Sequence, residues 1–300
     1  MRVLVKKYHL AIYLLAIMAL LLIFPQQRQA TAAEWSVVVH PAILQPGDVA
    51  RIELNPATAF FGATLTWQNR QISLTTLPEG RMAALIGIPR DITAGNHQAK
   101  LNIIFRNGLR RSHLVNLQIA KKTFPEQHIS LPPRQVSPDR QSMDRHRRER
   151  AELNRVFARP QQERLWKEAF QLPVTGKILS PFGVQRILNG QPRSYHSGVD
   201  QRARLGEPVA AAGGGQVVLV ADHFFAGKSV YIDHGMGILT MYFHLSTINV
   251  SEGERVIAGQ TIGLAGATGR ASGPHLHWGA RVHDCKVDPL ALLRALEASP

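Results

Sequence analysis

Histidines gather in the last third of the chain at spacings that could bind a metal ion. Seven of the 13 histidines lie in residues 196–283. His196 and Asp200 stand at positions i and i+4, which lie on one face of an extended chain. His275 and His277 stand at i and i+2, again on one face. Zinc prefers nitrogen and carboxylate-oxygen ligands, so both segments are candidate parts of a metal site.

A third segment brings another histidine into the argument. In the strand-like run that ends at His244, alternation predicts Tyr242 and His244 on one face and Met241 and Phe243 on the other. The missing side chain of Gly198 leaves room for an ion beside the first pair. Four histidines and one aspartate could therefore face one groove. Each pattern alone is short enough to occur by chance, and spacing does not show that the segments converge.

The ordered set of segments resembles the lysostaphin and LytM-type zinc metallopeptidases. Two further stretches in the same order, ILSPFG at 178–183 and VDP at 287–289, extend the resemblance on either side. It is carried mainly by YHSGVD at 195–200, YFHL at 242–245, VIAGQTIG at 256–263 and TGRASGPHLHWG at 268–279.

This resemblance implies that His196, Asp200 and His277 bind one Zn²⁺ per chain and that His244 and His275 act beside the open coordination position. A catalytic zinc site has three protein ligands and an open place, and it lowers the pKa of water from 15.7 to about 7. The two remaining histidines would orient or deprotonate that water and return a proton to the leaving amine. The implied reaction is hydrolysis of a peptide bond.

Three further residues are predicted to contact the substrate, namely Tyr195, Tyr242 and Arg193. The lysostaphin-like subset of the family has a tyrosine six residues before the first ligand, where this chain has Gly190. This chain therefore lacks the tyrosine that would stabilise the oxyanion, and another hydrogen-bond donor must take that role.

The other histidines and the cysteine of this region are expected to be structural. His223 and His283 have no partner at a metal-binding spacing, and His234 belongs to a strand-to-turn element. Cys285 is the only cysteine of the chain and is predicted to be a small buried residue, because the three-ligand site is already complete without it.

The elements that must position these residues are predicted to be mainly β. Residues 172–300 read as short strands joined by glycine-rich turns, and the resemblance implies an antiparallel β LytM-type peptidase domain. Residues 34–120 contain about seven strand-like runs separated by turn signals, which predicts an immunoglobulin-like sandwich acting as an accessory domain.

A basic, partly helical linker is predicted between these domains, over residues 121–171. Its dense charged stretch at 144–150 favours an exposed helix, interrupted at Pro160 and resuming toward Trp166 and Phe170. It could be a solvated connector or a basic tether on an anionic surface.

The start of the chain predicts export. Basic residues precede an apolar run at 10–24, and small residues at 30–32 offer a cleavage site, which is typical of a signal peptide over residues 1–33. The alternative is an uncleaved membrane anchor, since no charge lies between Lys7 and Arg28. Either reading places the protein in the periplasm or cell envelope.

Charge and composition limit the classes of partner that we expect for this protein. The 300 residues include 35 basic and 21 acidic ones, a formal net charge of +14, and one cysteine, which excludes an internal disulfide framework. An exported basic protein meets anionic envelope polymers and lipid head groups, which are candidate partners, whereas nucleic acid is not expected.

The compartment and the resemblance together imply a peptidoglycan endopeptidase that cuts cross-links or stem peptides, with the D-alanyl to diaminopimelate cross-link favoured. The alternative is a catalytically inactive LytM-type regulator that activates another cell-wall hydrolase through a protein contact. A regulatory envelope protein is a further candidate partner. The sandwich, or the helix near Arg147, could also occlude the groove until displaced.

Overall fold

A computed structural model describes residues 35–77, 80–130, 139–158, 161 and 163–297, with only the backbone of residues 129, 192 and 193. The predicted signal peptide and Pro160 lie outside the described residues. Strands dominate the described chain, as the sequence predicts. The helices are α1 (Arg140–Phe157), α2 (Pro289–Glu297) and one short 3-10 helix (Ala57–Ala59).

Two groups of strands follow one another along the chain. The first group is β1 (Ser36–His40), β2 (Ile43–Leu44), β3 (Val49–Asn55), β4 (Phe60–Trp67), β5 (Arg70–Ser73), β6 (Thr75–Thr76), β7 (Met82–Gly87), β8 (Gly95–Phe105), β9 (Arg110–Ile119) and β10 (Glu126–Ile129). The second group is β11 (Ile178–Ser180), β12 (Gln185–Leu188), β13 (Gln191–Tyr195), β14 (Gly198–Gln201), β15 (Pro208–Ala210), β16 (Gly215–His223), β17 (Gly227–Gly235), β18 (Ile238–Ile248), β19 (Arg255–Val256), β20 (Thr261–Ala265), β21 (Leu276–Val282) and β22 (Cys285–Val287).

The first group forms two sheets, in the orders β1-β3-β7-β6 and β2-β9-β8-β4-β5. Strands β3 and β7 are buried almost throughout, whereas alternate residues are buried along parts of β4, β8 and β9. The Trp67 indole of β4 donates to the Gly87 carbonyl of β7 at 3.2 Å, which joins the sheets. This is the β-rich segment that the sequence predicts. The immunoglobulin topology itself stays a prediction.

Most strands of the second group form one large antiparallel sheet, whereas β12 and β13 form a separate three-stranded sheet with β10 of the first group, in the order β10-β12-β13. The order of the large sheet is β11-β14-β21-β18-β17-β16-β19, with β22 added beside β21, and with β15 and β20 paired beside β18. Along β21 the side chains alternate. Leu276 and Trp278 enter the apolar core, whereas His277 and Arg281 lie on the opposite face.

Helix α1 packs on that opposite face of the sheet. Asp139 caps its first turn by accepting from the Ser142 amide at 2.8 Å, as a good N-cap residue does. Its partly buried Leu153 and Phe157 pack against an apolar cluster that includes Tyr231 and Met241. The charged stretch is therefore helical as predicted, and it contacts the sheet.

The predicted resumption of the helix toward Trp166 and Phe170 is wrong. Residues 163–170 are non-helical, and both aromatic side chains are buried in the core of the second group of strands. The Leu165 amide donates to the His234 carbonyl at 2.9 Å. These residues pack with the core of the large sheet, and the predicted domain boundary at 171/172 stays a prediction.

No helix in the described part of the chain is long and apolar enough to cross a membrane.

Candidate metal centre

Three side-chain atoms from two neighbouring strands and the segment before them meet at one point. Asp200 on β14 stands opposite His277 on β21 in the antiparallel register, and His196 precedes β14. Asp200 Oδ1 lies 2.9 Å from His196 Nε2 and 2.8 Å from His277 Nδ1. The two nitrogens are 3.0 Å apart. Strand pairing thus brings the three predicted ligands together.

The orientation of His196 is fixed by the main chain. Its Nδ1 lies 2.8 Å from the Pro181 carbonyl oxygen, so this nitrogen carries the proton and donates it. Nε2 then presents a lone pair toward Asp200 and His277. A second hydrogen bond of this kind is what orients most metal-binding histidines.

Asp200 is held as a carboxylate. Burial alone would raise the pKa of its carboxyl, but the interactions with His196 and His277 outweigh burial and hold the pKa well below the ordinary 3.8. The outer oxygen, Oδ2, accepts from an Arg186 guanidinium nitrogen at 3.1 Å. The sequence argument missed Arg186, because a single arginine on a short strand carries no spacing signal.

His277 is neutral at neutral pH, because burial lowers the pKa of its imidazole to about 4. Its ring stacks on Phe243 with the centroids 5.2 Å apart and an interplanar angle of 11°. Two imidazoles and one carboxylate form the mixed nitrogen and oxygen set that suits a catalytic zinc ion. The residues present therefore fit the expected metal.

The missing side chain of Gly198 makes room for the neighbouring strand β21 rather than for an ion. A Cβ at this position would lie 2.8 Å from His277 Nε2 and 2.4 Å from the Trp278 carbonyl oxygen. The glycine therefore permits the close approach of β14 and β21 that brings Asp200 beside His277. The expectation that it opens space for the ion is corrected accordingly.

His244 reaches the site through an irregularity in β18. Its backbone has a φ of +65°, and the register between β17 and β18 shifts at this end of the strand. Such a bulge re-aims a side chain, and positive φ in a non-glycine residue is uncommon outside strained functional positions. His244 thereby lies near His275 and His277, with ring centroids 4.8 and 6.1 Å away.

Tyr242 lies on the other side of the sheet from the groove. Its fully buried hydroxyl accepts from the Ala212 amide at 2.8 Å and from the Thr240 hydroxyl at 3.0 Å. Burial raises the pKa of this hydroxyl to about 12. The predicted placement of Tyr242 beside His244 is corrected, because the bulge separates the two side chains.

The two auxiliary histidines share one hydrogen-bonding arrangement. Nδ1 of His244 lies 2.8 Å from the Thr268 carbonyl oxygen, and Nδ1 of His275 lies 2.8 Å from that of Gly273. Both rings therefore carry the proton on Nδ1 and leave Nε2 unprotonated when neutral. Nε2 of His275 is 3.8 Å from Asp200 Oδ1. Burial and the neighbouring histidines lower the pKa of His244 to about 3.

Tyr195 and Arg193 complete the predicted substrate contacts. Tyr195 is half-buried, lines the groove and carries the Arg90 guanidinium 4.9 Å above its ring. Burial raises the pKa of its hydroxyl. The side chain of Arg193 lies outside the described residues, so its predicted contact stays a prediction.

The residues expected to be structural lie apart from the three ligands. His234 is fully buried and bonded to the Gly214 carbonyl and the Thr240 hydroxyl at 2.8 and 2.7 Å. His223 contacts Glu152 of α1 at 3.1 Å. Cys285 packs against Gly87 of β7, and burial raises the pKa of its thiol to about 11, so it stays protonated.

A groove of about 710 Å³ opens from the site. Its floor is the apolar face that carries Phe243, Met241 and Tyr231, and its opposite wall is helix α1. Glu149 of α1 accepts from the Phe224 amide at 3.0 and 3.1 Å, which fixes the helix at the mouth. Helix α1 thus lies along the groove, opposite the apolar face of the sheet.

Comparison with known proteins identifies the family. The model of peptidase family M23 matches residues 194–289, which contain all three converging ligands. A Pseudomonas aeruginosa protein described as a peptidase M23 has a crystal structure with a TM-score of 0.65 and 30% identity. The match covers 83% of this chain and 95% of that one. The chain belongs to peptidase family M23.

Curated relatives of this M23 chain are named as endopeptidases, and some of the names specify peptidoglycan. Peptidoglycan DD-endopeptidase ShyA of Vibrio cholerae is 44% identical over 116 residues, 37% of this chain and 27% of that protein. DD-carboxypeptidase/endopeptidase Mpg of Neisseria meningitidis is 37% identical over 116 residues, 39% of this chain and 27% of that protein. The matched region thus spans about a quarter of the length of these relatives.

Proposed function

We propose that this M23 chain is a zinc-dependent endopeptidase that hydrolyses peptide cross-links or stem peptides of bacterial peptidoglycan. The observation that carries the proposal is the convergence of His196 Nε2, Asp200 Oδ1 and His277 Nδ1 beside two further imidazoles. The DD-endopeptidase relatives support the substrate class and favour the D-alanyl to diaminopimelate bond. An exported envelope location follows from that substrate.

His196, Asp200 and His277 would hold the ion. When bound, zinc supplies Lewis-acid polarisation of the scissile carbonyl and lowers the pKa of an attacking water. Arg186 keeps Asp200 oriented through its outer oxygen at 3.1 Å.

His244 and His275 are the proposed proton carriers. Each donates its Nδ1 proton to a backbone carbonyl, so Nε2 of the neutral ring can accept a proton from the attacking water. The protonated ring can then stabilise the developing oxyanion and return the proton to the leaving amine. Tyr195, at the wall of the groove, is a proposed substrate contact.

The inactive-regulator alternative is not favoured. A retired peptidase is expected to have lost ligands, whereas the three ligands and both auxiliary histidines of this chain stand together.

The deciding experiment is digestion of purified, composition-defined peptidoglycan with and without a chelator, followed by mass analysis of the fragments and metal analysis of the protein. We expect chelator-sensitive cleavage at one type of peptide bond and one equivalent of zinc. Zinc binding without cleavage would favour the regulator.

A further inference from the structure

Two cations face each other at one end of the groove. Arg281 on β21 stands directly opposite Lys286 on β22 in the antiparallel register. Both line the groove that contains His277, and both also line a second cavity of about 730 Å³. Directly opposed like charges destabilise a strand pair, so this arrangement needs a reason.

Two of the carboxylates that line these cavities are engaged elsewhere, and a third, Asp91, lines the second cavity. Glu149, in the groove, accepts from the Phe224 amide and from Arg145 at 2.7 Å. Asp284, in the second cavity, pairs with Arg70. Among the described residues, no carboxylate forms an ion pair with Arg281 or Lys286.

The Arg281 guanidinium is also incompletely bonded. One terminal nitrogen donates to the Asp284 carbonyl at 2.8 Å, and the group lies 4.3 Å above the Phe157 ring. Its Nε is buried and has no acceptor within the described part of the chain. An unbonded buried donor on a charged group is costly, and an anion would satisfy it.

The surroundings disfavour the positive charges of both side chains. Burial lowers the pKa of the Arg281 guanidinium. Partial burial, and then the positive charge of Arg281, lower the pKa of the Lys286 ammonium. The positive charge of Arg150, on α1, lowers the pKa of Lys286 in the same direction. Lys286 is open to the cavities, so a solute can reach its ammonium.

The pair lies in line with the metal centre. Alternate residues of β21 share one face, so His277 and Arg281 lie on the same face with one residue of that face between them. At about 3.3 Å per residue, the Cα atoms of His277 and Arg281 are about 13 Å apart. The intervening residue is Gly279, which adds no side chain to that face. An extended peptide bound along this face covers the distance with about four residues.

We propose that Arg281 and Lys286 bind a carboxylate of the substrate peptide about four residues from the bond that is cut. This assignment rests on the proposed peptidase activity and makes the substrate an anionic peptide held at both ends, by the metal centre and by the cation pair. The second cavity leaves room for the chain beyond the carboxylate.

The test uses the full chain loaded with zinc and pairs of synthetic cross-linked peptides. The members of each pair differ only in a free carboxylate or a carboxamide about four residues from the scissile bond, on either side. We expect the wild-type kcat/KM to favour the carboxylate peptide of one pair by about ten- to a hundredfold, the range of a charge-assisted hydrogen-bonded pair. The preference should weaken at high salt.

Lys286→Gln should lower that preference about tenfold, mainly through KM. Arg281→Gln should lower it as well, but Arg281 also packs on Phe157, so the exposed Lys286 gives the cleaner result. Lys167→Gln is the matched control, because Lys167 is exposed and lines neither cavity. The Lys167→Gln variant should prefer the carboxylate peptide by the same factor in kcat/KM as the wild type.

Equal hydrolysis of both members of every pair, or an unchanged preference in Lys286→Gln, would overturn the carboxylate site while leaving the peptidase intact. If no peptide is cut, the proposed activity fails instead, and calorimetric binding of the same peptides decides the site. Tighter binding of the carboxylate form, lost in Lys286→Gln, supports the site; equal binding rejects it.

Discussion

At the scale of single residues, the site separates groups that can hold an ion from groups that can move a proton. His196 and His277 direct a nitrogen at the Asp200 oxygen, at 2.9 and 2.8 Å. His244 and His275 lie beside them without sharing that point. Removing a ligand should therefore have a different consequence from removing a neighbour.

The first prediction follows from this separation. His277→Ala should lose both zinc and hydrolysis, whereas His244→Ala should keep zinc and lose turnover by about a hundredfold or more. Metal content by mass spectrometry and turnover of one peptide measure the two effects in the same preparations. Equal metal loss in both variants would contradict the division of roles.

The second prediction concerns acid stability of the metal-free chain. Burial lowers the pKa of His234 to about 4, against an ordinary 6.5, so the unfolded state binds more protons between these values. The free energy of unfolding should fall as the pH falls through this window. His234 contributes up to about 3 kcal/mol of that loss.

Urea unfolding in chelator at about pH 7.5 and 4 measures this loss. His234→Gln should flatten the pH dependence, and His128→Gln, at an exposed position, should not. Parallel curves for His234→Gln and the wild type would show that His234 does not carry the effect.

At the scale of elements, strand pairing does most of the positioning. The sequence alone predicted the β texture and the one-face placement of His196 with Asp200, and the resemblance supplied the ligand set. The alternation rule failed at Tyr242 because the bulge at His244 interrupts the period of two. Bulges depend on pairing with a neighbouring strand, which the local sequence does not encode.

Helix α1 shows the same limit. Its dense charged stretch predicts a helix, but its contact with the sheet depends on Leu153 and Phe157, whose partners lie more than 60 residues away along the chain. Nor did the sequence separate Trp166 and Phe170 from the linker. Their burial depends on contacts with distant strands.

The third prediction is that α1 restrains access to the groove. The double variant Leu153→Ala with Phe157→Ala removes apolar contacts with the sheet and should raise kcat/KM on a soluble peptide about tenfold. A tenfold change corresponds to destabilising the closed state, relative to the open one, by about 1.4 kcal/mol. Arg148→Ala, at an exposed position of the same helix, is the control. Unchanged rates in the double variant would reject the restraint.

At the scale of the whole molecule, the excess of positive charge should govern where the protein concentrates. With a formal net charge of +14 over the full chain, binding to an anionic wall is expected to weaken as salt shortens the range of electrostatic attraction to about 10 Å at 0.1 M and less above it.

The fourth prediction states this as a measurement. Cosedimentation with purified peptidoglycan should fall as ionic strength rises, and binding to an uncharged polysaccharide should stay low throughout. Salt-independent retention on the wall would mean that specific contacts, rather than net charge, hold the protein there.

The loop of residues 266–275 orients two side chains at once, those of His244 and His275. It supplies the Thr268 carbonyl to His244 and the Gly273 carbonyl to His275. Because both imidazoles take their tautomer from main-chain atoms of one short connection, a displacement of that connection disables the two together. Insertions or deletions in this loop would abolish peptide hydrolysis while His196, Asp200 and His277 stay in place.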